Sequence, residues 1–256
     1  MKNIIKKKNI VIGYNGLIGG KIYKKGMLGI NSKNIFSIKN GAFNTVYVAA
    51  PSGLKYLSNK DPKLDNKNTK IIIKILKSIS CKKIYFFSTS SVFDSTQKLK
   101  QNELCKPFFT KKNNYGKNRY KIEQFIQKRF KNFQIIRLPG LLSLDLKKGF
   151  FFDLLNFNSL EYHHKKTNMQ WYFIDNILRD LKNKCTNKPI VNFVSEPITL
   201  FEITKYLKHP IKNFSKDKKR IQKNNIVTIH AKKKYFFSRN YILKKMADIY
   251  KKKSNF

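Results

Sequence analysis

A parallel sheet covered on both faces by helices is the fold class this sequence predicts. Short apolar runs that read as buried strands alternate along the chain with longer stretches at helical spacing. The first of these runs, Asn9-Ile-Val-Ile-Gly-Tyr-Asn-Gly-Leu-Ile-Gly19, closes in three glycines spaced three apart and leads directly into a helical pattern. With 256 residues, 41% of them hydrophobic, the chain can bury one large domain, or a domain with a small second lobe, so a disordered chain is excluded.

Residues 8–12 read as the first strand and 17–28 as the first helix. Ile35-Phe-Ser-Ile38 is the expected second strand, and Thr45-Val-Tyr-Val-Ala49 the next, ending in the small residues Ala50-Pro51-Ser52. Only residues 39–44 separate these two strands, too few for a parallel crossover of a dozen or more. Either one strand–helix unit of the first half is missing, or 35–38 is not the strand. Residues 54–66 are polar and loop-like. Residues 69–80 are helical, with Ile72, Ile73, Leu76 and Ile79 on one face. Residues 83–87 form a strand that ends in Ser88-Thr-Ser-Ser-Val-Phe-Asp94, and 95–112 a loop. A helix over 115–130 and a strand over 133–137 follow. The rest is patchier: a short helix at 151–157, a turn and helix over 171–181, a last strand at 190–194, and helices at 200–207 and 241–250. One two-lobed unit is expected, with residues 1–145 and about 171–195 forming the sheet lobe. About 146–170 and 196–256 form the small C-terminal lobe.

The net charge is +41, from 55 basic and 14 acidic residues. Such charge attracts polyanions without selectivity. Yet only six of the basic residues are Arg and 49 are Lys, scattered from end to end among abundant Asn, Ile and Phe. A dedicated nucleic-acid site concentrates Arg with aromatics on one element, so compositional drift is preferred and nucleic acid is not an expected partner. Cys81, Cys105 and Cys185 follow no disulfide or metal spacing, which suits a reducing compartment. His163 and His164 have no third ligand nearby, so no metal is expected. No apolar run approaches the roughly 20 residues of a membrane span, and the first apolar stretch is too short for a signal peptide. A cytoplasmic location is expected.

A strand entering a glycine-rich turn at a helix start is suited to a pyrophosphate, because the backbone turns sharply and its N–H groups face the anion. Gly13, Asn15, Gly16, Leu17, Ile18 and Gly19 are the candidate contacts. An NAD-type site places an acidic residue about 20 residues beyond the glycines. Here Lys39 and Asn40 stand there, and the first acidic residue is Asp61, so a nicotinamide dinucleotide is expected as NAD or NADP with a slight lean to NADP through Lys39.

Taken with Ser88-Thr89-Ser90-Ser91-Val92-Phe93-Asp94 and Tyr115-Gly116-Lys117-Asn118-Arg119-Tyr120-Lys121-Ile122-Glu123, the glycine turn resembles the extended short-chain dehydrogenase/reductases. These are NAD-dependent epimerases and dehydratases, and the nearest look is to the dTDP-4-dehydrorhamnose reductase branch. Arg137-Leu-Pro139-Gly140, Trp171-Tyr-Phe-Ile-Asp175 and Pro197-Ile-Thr-Leu-Phe-Glu202 extend the likeness over most of the chain. The resemblance implies a Rossmann-like doubly wound fold with a small C-terminal substrate lobe. It implies Tyr115 as acid/base, Thr89 as the hydroxyl that holds the reacting oxygen, and Arg119 in the place of the family's Lys as the cation beside Tyr115. Ala49, Ala50, Pro51, Ser88 and Pro139 would line the cofactor, and Ser90 and Ser91 the substrate. Asp94 and Glu123 are expected to be structural. The implied activity is 4-keto reduction or epimerisation of a nucleotide sugar for surface-polysaccharide synthesis, with lysines of the small lobe on the diphosphate. A homodimer through the 115–130 helix also follows from the resemblance. The rival is a catalytically impaired dinucleotide-binding protein acting as a scaffold or RNA-binding module.

Overall fold

The computed structural model describes residues 8–93, 100–158, 160–210 and 214–254; Asp94 lies outside them. Strand β1 (Ile10–Ile12) is buried at all three residues, as a strand covered on both faces requires. It passes through the glycine turn into α1 (Leu17–Ile22). The first helix is shorter than expected because the chain turns again at Gly26, whose φ of +91° suits glycine. The chain then pairs as β2 (Leu28–Ile30), parallel to β1, with Ile12 opposite Ile30.

The second strand is therefore 28–30, and the expected strand at 35–38 is a 3-10 turn. The physical reason is spacing. Ile35 and Ile38 stand three apart, so a helix of three residues per turn points both the same way. Both are buried, while Phe36 is 55% exposed. A strand would have sent Ile35 and Ile38 to opposite faces.

Strand β3 (Ala42–Val48) lies on the other side of β1, parallel to it. Next come α2 (Lys55–Lys60) and α3 (Pro62–Ser78), so much of the expected polar loop is helix. Asp61 caps α3 by accepting the Leu64 N–H at 3.0 Å, and Pro62 takes the first helical position, where its missing N–H costs nothing. After β4 (Ser80–Thr89), α4 (Asn114–Arg129) and β5 (Phe133–Leu138) the chain continues through β6 (Gly140–Leu142), α5 (Phe150–Leu155), β7 (Asn168–Met169) and β8 (Trp171–Phe173). It ends with α6 (Ile177–Lys184), β9 (Ile190–Asn192), β10 (Ile198–Thr199), α7 (Leu200–Tyr206) and α8 (Arg239–Ser254).

The main sheet has six strands in the order β2-β1-β3-β4-β5-β9. Against the doubly wound order 3-2-1-4-5-6, the outermost strand of the first half is absent among the described residues. The chain instead returns from β2 to β3 over the Ile35–Ile38 turn. Ile10, Ile12, Val46, Val48, Ile84 and Phe86 of the sheet share one core with Ile72, Ile75 and Leu76 of α3 and Ile122 and Ile126 of α4.

The chain divides into two compact units. The first is Met1–Val92, Pro107–Arg137 and Ile177–Val191; the second is Phe93–Lys106, Leu138–Asn176 and Asn192–Phe256. Within the second, β6 pairs parallel with β8 and β10 antiparallel with β7. The motif Ile198-Thr-Leu-Phe-Glu202 starts α7 with a capping box: Thr199 Oγ1 accepts the Glu202 N–H at 3.1 Å, and Glu202 accepts the Thr199 N–H at 2.7 Å. No helix among the described residues is long and apolar enough to cross a membrane.

Candidate functional site

The order β2-β1-β3 makes the carboxyl ends of β1 and β3 the point where the chain reverses its direction of winding, the usual ligand crevice of such sheets. The glycine turn leaves β1 there, and Ala49-Ala50-Pro51 leaves β3. They meet closely: a Cβ on Gly13 would sit 2.6 Å from the Ala49 carbonyl oxygen, and Gly13 has φ +87°. Gly13 also donates its N–H to Ile30 O at 2.7 Å, which ties the turn to β2. A Cβ on Gly19 would stand 2.1 Å from Gly13 O, so only glycine lets α1 pack on the turn. A Cβ on Gly16, by contrast, would meet only Gly13 O at 3.3 Å. Gly16 is itself exposed, and exposed Asn15 and part-exposed Leu17 and Ile18 flank it. A main-chain cradle of this form fits a dinucleotide pyrophosphate.

Lys39 is not in this place. It follows the Ile35–Ile38 turn rather than β2, because the strand assumed to precede it does not form. The residue at the end of β2 is Asn31, whose Oδ1 accepts the Lys33 N–H at 2.9 Å while its own N–H reaches Asn34 Oδ1 at 2.7 Å.

At the carboxyl end of β4 the chain folds Ser90–Val92 into a 3-10 turn. Thr89 Oγ1 accepts the Ser91 N–H at 3.1 Å and closes that turn. Asn113 then clamps α4 onto it. Its Oδ1 caps the helix by accepting the Gly116 N–H at 3.0 Å, and its Nδ2 donates to Ser91 O at 2.9 Å. A Cβ at Gly116 would lie 2.0 Å from Ser91 O, so glycine at 116 admits the close approach of α4 to the Thr89–Ser91 turn. The Tyr115 N–H is held by Asn59 Oδ1 at 2.9 Å.

No protein-family model matches this chain, and no curated protein matches it by sequence. Solved structures do. The UDP-glucose 4-epimerase of Thermotoga maritima superposes with a TM-score of 0.72 at 15% identity, over 96% of this chain and 99% of that one. The dTDP-4-dehydrorhamnose reductase of Yersinia enterocolitica gives 0.70 at 16% identity over 96% and 99%. The L-threonine dehydrogenase of Phytophthora infestans gives 0.70 at 16% identity over 97% and 99%. The chain carries the extended short-chain dehydrogenase/reductase fold.

In that fold the first unit holds every expected site residue but Pro139, which falls in the second, between β5 and β6. Ser88 is 4% exposed and gives its hydroxyl to Glu123 Oε1 at 2.5 Å, so the side chain is spent on the core. Arg137 holds the same carboxylate with Nε at 3.1 and 3.2 Å and Nη2 at 2.6 Å. Glu123 is thus the anchor of α4 to β4 and β5, as its expected structural role requires.

Arg119 is 2% exposed. Its Nη1 donates to Asp65 Oδ1 and Oδ2 at 3.0 and 3.2 Å, and its Nη2 to Ser52 O at 2.6 Å. Its guanidinium carbon lies 4.3 Å from the Tyr115 ring centroid. Asp65 also accepts from Ser58 Oγ at 2.9 Å and Asn118 Nδ2 at 2.7 Å. Sequence reading missed Asp65 and Ser58, because 54–66 reads as loop, and gave Asn118 no role although the helix that carries it was expected. The available signal was Asp61-Pro62, a cap followed by a first-turn proline, which would have put Asp65 on a helix.

Proposed function

We propose that this chain is an NAD(P)-dependent oxidoreductase or epimerase acting on a nucleotide sugar. One observation carries the reading: Asn113 and Gly116 lock the Tyr115 end of α4 onto the Thr89–Ser91 turn at the carboxyl edge of the sheet that bears the glycine cradle.

Gly13, Asn15, Gly16, Leu17, Ile18 and Gly19 would hold the dinucleotide's phosphates, and Ala49, Ala50 and Pro51 its adenosine side. Bound there, a nicotinamide supplies hydride chemistry. Tyr115 hands a proton to the sugar oxygen, or takes one from it, at its phenol oxygen. Thr89 accepts a hydrogen bond from Ser91 and keeps its own O–H to donate to that oxygen. Ser90 and Ser91, both part-exposed, stand beside it as substrate contacts. Asn31 offers no carboxylate to repel a 2′-phosphate, so the site accepts NADPH at least as well as NADH. The sugar-nucleotide enzymes among the structural neighbours support the substrate class.

Titration of the purified protein with NADH and NADPH, followed by nicotinamide fluorescence, tests the reading. Binding is expected, with NADPH equal or tighter, and Tyr115→Phe should abolish turnover of a keto sugar nucleotide without weakening it. If neither cofactor binds, the enzyme reading fails.

A further inference from the structure

Arg119 stands where the family's lysine would place a mobile cation beside the tyrosine, but its surroundings leave it no such freedom. The guanidinium is buried and its two terminal nitrogens are occupied: Asp65 of α3 takes one, and the Ser52 carbonyl takes the other. Asp65 is itself 6% exposed and compensates the charge within the core. The guanidinium carbon also lies over the Tyr115 ring, 4.3 Å from its centroid. One planar group thus touches three elements: α3, the loop that leaves β3 at Ala49–Ser52, and the tyrosine one turn earlier on α4.

We propose that Arg119 is a positioning residue, a rigid brace that sets the Tyr115 ring and the cofactor-side loop in one fixed relation, with Asp65 as its counter-charge. The inference rests on the reading of Tyr115 as the acid/base. It assigns Arg119 no contact with cofactor or substrate, because the residue has almost no exposed surface. It also assigns a function to Asp65, whose carboxylate holds the arginine. Lysine cannot replace the brace. An ammonium group is a point charge without a planar face, and it cannot donate in two fixed directions while stacking on a ring. A lysine at this position would be drawn to Asp65 alone and would release both Ser52 and Tyr115.

The consequence runs against the family pattern: Arg119→Lys, which restores the usual residue, should impair the site. The experiment compares wild type, Arg119→Lys and Asn118→Ala in two readouts. One is the dissociation constant of NADPH. The other is the NMR signals of the Tyr115 ring, assigned by their loss in Tyr115→Phe. Arg119→Lys should weaken NADPH about tenfold or more and collapse the displaced Tyr115 ring signals toward those of a free tyrosine. Asn118→Ala removes one hydrogen bond to Asp65 but leaves the brace, so it should lower the melting temperature while ring signals and NADPH affinity stay put. Were both variants to lose affinity in step with their melting temperatures, the role would be general packing and the proposal would be overturned. Unchanged ring signals in Arg119→Lys overturn it as well. If Arg119→Lys does not fold, Asp65→Glu, which displaces the guanidinium by one methylene, gives the same readout. Failure of the wild type to bind NADPH would sink the proposed function, while the ring signals would still decide the brace.

Discussion

Gly19 and Gly26 are both turn glycines, and the structure separates them sharply. A Cβ at Gly19 would collide with Gly13 O at 2.1 Å and Tyr14 Cα at 2.8 Å, all of it backbone. A Cβ at Gly26 would meet nothing within 4 Å, and only its φ of +91° resists substitution. Gly26→Ala should therefore cost about 1–2 kcal/mol, the penalty of a left-handed alanine. Gly19→Ala must move α1 off the cradle, should cost more than about 3 kcal/mol, and should remove dinucleotide binding even where the protein still folds. Urea unfolding paired with cofactor titration checks both.

His209 makes a pH-dependent contribution at the same scale. It is 7% exposed, its Nε2 lies 3.0 Å from Leu154 O, and its Nδ1 is buried with no hydrogen-bond partner. Burial pushes its pKa below the ordinary histidine value, against the Leu154 carbonyl, which pulls it up. The unfolded chain therefore binds the proton more readily than the folded one. Stability at this residue is full above the ordinary pKa of about 6.5 and is lost as pH falls through and below it. Melting temperature should drop on acidification from pH 7 to 5, and less steeply in His209→Gln.

Among the elements, α4 carries the most. Its buried side meets the sheet through a charged anchor, Ser88–Glu123–Arg137, rather than through apolar packing alone. Arg137 and Glu123 are 2% and 0% exposed, so removing one partner strands the other's charge in the core. Glu123→Ala should cost about 3–5 kcal/mol, measured by denaturant unfolding, and exceed the cost of Ile126→Val by several-fold. The sequence pattern of α4 was legible for two reasons. Its helical spacing is long and regular, and Asn113 supplies an N-cap. The β2 region was not legible, since three residues of Leu-Gly-Ile give no period to count. Only pairing with β1 defines them as a strand. The Ile35–Ile38 turn shows the same limit: four residues with two isoleucines suit either structure until their neighbours are in place.

For the whole molecule the charge of +41 is a uniform load rather than a patterned one. Among the described residues two arginines form buried ion pairs, with Asp65 and Glu123. Like charges spread over one surface repel, and salt screens them over roughly 8–10 Å at physiological strength. Raising salt from 50 to 500 mM should raise the melting temperature, by about 2–4 °C for each kcal/mol of repulsion screened. Retention on a polyanion column should be weak and sequence-blind, and should vanish over the same range.

By itself the sequence determined the class of sheet, the glycine turn that leaves its first strand and the helix that carries Tyr115. Each of these is encoded locally: glycines at a strand end, Thr89 closing its own turn, Tyr115 a residue inside a capped helix. Tertiary structure decided the identity of the second strand, the absence of the outer strand among the described residues, the place of Lys39 after a 3-10 turn rather than at the end of β2, and the pairing of Arg119 with Asp65. Those outcomes depend on partners far along the chain, Ile10 for Leu28 and Asp65 for Arg119. Pairing and charge compensation are settled by what a residue meets in space, and no window of sequence contains both members of such a pair.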